Sequence, residues 1–130
     1  MSNFKVIKEL LKAGNEICMP VKGSSMAPFL KNKKDYVYAT KPTFPLKTGD
    51  IAFFEDRFGR SVMHRVCKKT EAGYYFCGDA MNSTEGPIQE SAVFAKVTGV
   101  VRDGKRHSID GMSSKLFAVR ARVKKLNYGC

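Results

Sequence analysis

VMHRVCKKTEAGYYFCGD, residues 62–79, decides the fold. Residues 62–66 and 74–76 are rich in β-branched and aromatic side chains. The segment between them, 69–73, is polar and ends in glycine, the composition of an antiparallel hairpin. A turn centred near residue 71 sets His64 opposite residues 77–79 across the ladder and brings Asp79 within reach of the imidazole. Working outward, similar short runs recur at 36–38, 51–54 and 97–101, separated by Gly, Pro, Asp and Lys. They predict a mainly β, antiparallel domain from Ile17 to about Val101. Its ends read as helices. Residues 3–13 space Phe4, Ile7, Leu10 and Leu11 as one apolar stripe ending at Gly14, and residues 113–126 place Leu116, Val119, Val123 and Leu126 on one side of a strongly cationic helix. No repeat or linker divides the chain, so residues 1–130 form a single predicted domain.

Composition limits what such a domain does. With 43% hydrophobic and 27% charged residues, the chain has a globular balance. Its 23 Lys and Arg against 12 Asp and Glu leave a formal charge of +11, which favours anionic partners without naming one. The longest apolar runs fall far short of the roughly 18 to 20 residues of a membrane-spanning helix, and lysines interrupt the N-terminus where a secretory signal would be continuous. The expected location is cytoplasmic, with peripheral contact to an anionic membrane through the 113–126 helix as a further expectation. No helix-turn-helix pattern precedes the β region, which argues against a nucleic-acid partner. Cys18, Cys67, Cys77 and Cys130 contain no CxxC pair, so free thiols are expected. A zinc site from Cys67, Cys77, His64 and His107 lacks ligand spacing, and neither metal nor cofactor is expected.

Three segments carry reactive groups: Gly23-Ser24-Ser25-Met26-Ala27-Pro28, Met63-His64-Arg65-Val66 and Gly78-Asp79-Ala80. In this order, with Gly49-Asp50-Ile51-Ala52 between the first two, they resemble the signal peptidase I and LexA-type superfamily of serine peptidases (S24/S26). The resemblance spans roughly residues 20–101 and points to its soluble, histidine-type bacterial branch. It implies that Ser25, the hydroxyl before the methionine, is the nucleophile of a serine endopeptidase. It also implies that His64, in a His-Arg-Val box, is the base. A neutral imidazole takes the serine proton without the large desolvation shift a lysine needs. Asp79 would orient His64, with Glu85 as the competing third member. The substrate would be an extended peptide or precursor protein with small side chains before the scissile bond, and the Ala13-Gly14 bond resembles one that LexA-type proteins cut in themselves. The Ser25 N–H would serve the oxyanion. Gly23 stands where some relatives carry a second hydroxyl donor, Ala80 where many have Asn, and Lys34 precedes Asp35 where Gly is usual.

Each segment has a plainer reading beside the catalytic one. Gly-Ser-Ser and Pro28 are ordinary turn punctuation, a strand histidine is often satisfied by a backbone group, and an aspartate after glycine often closes an Asx turn. Asp50 is read as structural, and Met26 and Pro28 as the frame of the serine loop. The alternative function is a non-catalytic or self-processing LexA-like regulatory module that binds a partner through its basic surface.

Overall fold

The computed structural model describes residues 2–27 and 29–109. The predicted 113–126 helix, Cys130 and Pro28 lie outside the described residues. An N-terminal helix, α1 (Ser2–Lys12), leads into eight antiparallel strands: β1 (Ile17–Pro20), β2 (Tyr36–Thr40), β3 (Ile51–Glu55), β4 (Ser61–Thr70), β5 (Gly73–Cys77), β6 (Glu85–Ile88), β7 (Val93–Arg102) and β8 (Lys105–Ser108). The sheet runs β1-β2-β7-β3-β4-β5-β6, and β8 joins β7. The long β7 is the organiser. It pairs with β2 along one edge, and on the other with β3 at Val93–Lys96 and β8 at Gly99–Arg102.

Alternation along these strands buries both faces of the sheet. Ile51, Val37 and Val97 pack in one cluster with Val21, Met26 and Leu30 of the serine loop. The next residues along β3, Ala52 and Phe54, pack in another with Val66, Tyr74 and Phe76. Helix α1 packs Leu11, and in part Ile7, against Ala39 and Ala95. Leu10, expected on the same stripe, is 42% exposed. Gly14 closes the helix, its N–H donating to the Leu11 carbonyl while Asn15 N–H donates to that of Leu10, the paired bonds of a Schellman cap.

The mainly β architecture matches the sequence expectation, and the sheet extends past Val101 through β8. The hairpin closes between Thr70 and Gly73, with Glu71 and Ala72 as its turn. Its ladder is not regular, because β4 carries one extra residue at Cys67, between the Val66↔Phe76 and Lys68↔Tyr75 pairs. That bulge controls which residues meet at the site.

Candidate active site

Ser25 sits in the loop between β1 and β2, which closes on itself where Val21 N–H donates to the Asp35 carbonyl and Lys33 N–H to the Val21 carbonyl. Asp35, buried at the loop's end, accepts from Lys31 N–H and from the Arg102 guanidinium, which also donates to the Phe29 carbonyl. Burial alone would raise the Asp35 carboxyl, but Arg102 and the Lys31 N–H hold it below its ordinary value. Met26 is buried as the loop's apolar plug, Ser24 is exposed, and Ser25 is half-buried. The exposed neighbour has no comparable seat.

The loop after β5 fixes the serine. Ala80 N–H donates to the Ser25 carbonyl at 2.8 Å. Gly78 lies flush against the same residue, so a Cβ at 78 would fall 2.6 Å from the Ser25 carbonyl oxygen. Close backbone approach thus accounts for glycine at this position. Among the described residues, no backbone acceptor takes the Ser25 N–H.

His64 lies on β4 opposite Ala52 and is 6% exposed. With Ser25 it lines one cleft of about 170 Å³, completed by Val21, Lys22, Gly23 and Met26 on one side and Ser61, Val62 and Met63 on the other. The structure therefore brings together the two groups that sequence placed in chemistry. The third member differs from expectation. Glu85 Oε1, not Asp79, lies 2.7 Å from His64 Nδ1. The oxygen sits off the line a ring N–H would take, so this buried nitrogen lacks an aligned hydrogen bond. The contact is electrostatic first.

Asp79 belongs to Arg65. Its two oxygens accept from Arg65 Nε and Nη2, each at 2.8 Å, with both side chains buried. The same guanidinium donates to the Gly49 carbonyl at 3.0 Å and stacks 5.1 Å from the Phe29 ring centroid. Strand parity is the reason for the exchange. A regular ladder from the Thr70↔Gly73 pair would set His64 against Asp79. The extra residue at Cys67 shifts the register so that Arg65 pairs with Cys77, and Asp79, two residues on, falls on Arg65's face. Phe76, on the other face, pairs with Glu85 of β6 and delivers that carboxylate to His64.

Burial pushes the His64 imidazole below its ordinary value, and Glu85 and the more distant Asp79 pull it upward without cancelling that effect. His64 is neutral at neutral pH, the state a base requires. Asp50, read as structural, caps its own turn by accepting from Lys47 N–H at 2.8 Å. Sequence reasoning missed Arg65 as the hub that ties Gly49, Phe29 and Asp79 together. Its signal was a charged residue inside the 62–67 part of β4, among mainly apolar residues, a position that demands a partner. It also missed Ser61 and Lys22 on the cleft walls. The Ala13-Gly14 bond is folded into the α1 cap, not extended as a bound peptide would be.

Cys18, Cys67 and Cys77 are present as thiols, those of Cys67 and Cys77 donating to the Tyr75 and Gly78 carbonyls. Among the described residues no helix is long and apolar enough to cross a membrane. No protein-family model matches the sequence, and no curated protein matches it.

Proposed function

We propose that the chain is a serine endopeptidase related to the signal peptidase I and LexA-type enzymes, with Ser25 as nucleophile, His64 as general base and Glu85 as the carboxylate that orients it. One observation carries this reading: Ser25 and His64 line a single cleft while a carboxylate backs the imidazole at Nδ1. With Nδ1 turned to Glu85, Nε2 is the nitrogen left to serve Ser25. It accepts the hydroxyl proton as Oγ attacks the peptide carbonyl, then returns that proton to the leaving amine as the C–N bond breaks. The acyl-enzyme on Ser25 is hydrolysed by a water that His64 deprotonates in turn. The Ser25 N–H faces the developing oxyanion.

The substrate enters as an added strand. β5 pairs with β4 from Arg65 onward, so among the described residues Ser61–His64 has no strand partner on the edge toward the cleft it lines. Val21–Gly23 forms the facing wall, and the small cleft volume selects small side chains next to the scissile bond. Mass-spectrometric cleavage of a peptide library tests the assignment. Ser25→Ala is expected to lower kcat/KM by about 10⁴-fold or more without unfolding the protein. Equal cleavage by the wild type and Ser25→Ala eliminates it.

A further inference from the structure

The tip of the β3–β4 hairpin, residues 56–60, serves neither the cleft nor the core. Asp56 builds it. Asp56 N–H donates to the Arg60 carbonyl at 2.9 Å and Gly59 N–H to the Asp56 carbonyl at 3.0 Å. The Asp56 carboxylate accepts from the N–H of Phe58 and of Arg60, each at 2.9 Å, and from Arg60 Nε at 2.8 Å. Gly59, at φ 76°, supplies the left-handed residue such a turn needs. Five bonds thus hold the tip in one shape before any partner arrives.

At its end Phe58 is 67% exposed, the most exposed of the large apolar side chains among the described residues. The guanidinium carbons of Arg57 and Arg60 lie 4.9 and 5.1 Å from its ring centroid. A lone exposed phenyl is common on protein surfaces. A phenyl with two guanidiniums over its ring on a hydrogen-bonded turn joins an apolar wedge to two cationic groups, Arg57 and Arg60, of which Arg60 also pairs with Asp56 through Nε.

We propose that this tip docks on an anionic lipid bilayer, the Phe58 ring entering the boundary between headgroups and acyl chains while Arg57 and Arg60 meet lipid phosphates. Charge complementarity favours this partner, since the chain carries a net +11. A nucleic acid would stack a base on an open ring face, and both guanidiniums already lie over the ring. β4 begins at Ser61 and reaches His64 without a break, so a docked tip holds the cleft within about 20 Å of the lipid surface at roughly 3.3 Å per residue. Peptides emerging from that surface are then in reach.

The chain contains no tryptophan, so Phe58→Trp gives a single indole at the tip. Its emission is expected to shift to the blue, and to be quenched by lipids brominated near the headgroup, with mixed phosphatidylcholine–phosphatidylglycerol vesicles but not with pure phosphatidylcholine. Tyr36→Trp, exposed on β2, is expected to show no shift. Phe58→Ser should weaken partition onto the mixed vesicles roughly tenfold. Unshifted emission at 58, an equal shift with pure phosphatidylcholine, a shift at 36 alone or unchanged partition of Phe58→Ser overturns the proposal. Quenching at 58 by a single-stranded oligonucleotide, without a vesicle response, overturns it in favour of nucleic acid. None of these readouts involves Ser25, so their failure leaves the peptidase reading standing.

Discussion

His64 and Arg65 are neighbours on one strand, and their side chains meet opposite surroundings. Arg65 is closely partnered: Asp79 takes two of its N–H groups, the Gly49 carbonyl a third, and Phe29 covers its face. His64 is also buried, yet its nearest charged neighbour, Glu85, is off axis and 38% exposed at the side chain. A buried ion that only supports the fold is satisfied on every side, because an unpaired one costs several kcal/mol. A base keeps capacity unspent, because a proton must arrive at one nitrogen and be stabilised through the other. The contrast separates scaffold from chemistry more sharply than burial does.

That contrast breaks most readily at Asp79. Asp79→Ala leaves Arg65 charged, buried and half-partnered, and urea unfolding should show a loss of about 3–5 kcal/mol. A loss under about 1 kcal/mol would mean that Arg65 reaches water and that Asp79 is not the partner its burial depends on. Gly78→Ala acts between the two sides. Its Cβ would meet the Ser25 carbonyl oxygen at 2.6 Å, so the serine must move. We expect a stability loss of about 1–3 kcal/mol, with peptide cleavage falling further than stability does.

Glu85→Gln sharpens the comparison on the His64 side. It keeps the shape and removes the charge, and kcat is expected to fall by about 10- to 100-fold with little change in unfolding. Because Glu85 raises the imidazole against the pull of burial, removing it lowers His64 further, and the acid limb of the pH–rate profile should move to lower pH. Asp79→Asn, which acts on Arg65, should move that limb less. An acid limb that follows Asp79 and ignores Glu85 would reverse the assignment.

The smallest effect is in stability against pH. The folded His64 has a lowered pKa, so the unfolded chain binds this proton first. Above an ordinary value of about 6.5 both states are neutral and His64 contributes no slope. As pH falls below that, protonation favours the unfolded chain and stability drops, levelling once the folded imidazole also protonates. The slope is at most about 1.4 kcal/mol per pH unit for one group. Asp35, held low in the folded protein, acts in a separate and more acidic window, losing its contribution below about pH 4. His64→Gln should erase the upper slope and leave the lower one, as thermal melts across pH will show.

Much of this was legible in the residues. Alternating runs marked β2, β3, β4, β5 and β7, and the polar segment before Gly73 marked the hairpin. Three strands, β1, β6 and β8, were not. β6 contains Gly86-Pro87, residues that ordinarily break strands, and it survives as the edge of the sheet. β8 reads Lys-Arg-His-Ser, all exposed, with no apolar period to betray it. That Ser25 and His64 share one cleft was readable from the order of the motifs that carry them. The choice between Asp79 and Glu85 was not, since it turns on a single inserted residue at Cys67, and nothing in the composition of Val-Cys-Lys announces a bulge.

The clasp between Ser25 and the Gly78–Ala80 corner also bears on how the machinery behaves under thermal agitation. Ser25 and His64 come from segments some forty positions apart in the chain, yet the first is moored to the corner that directly follows the hairpin carrying the second. Movement of that hairpin therefore carries the Ser25 and His64 side chains together rather than apart.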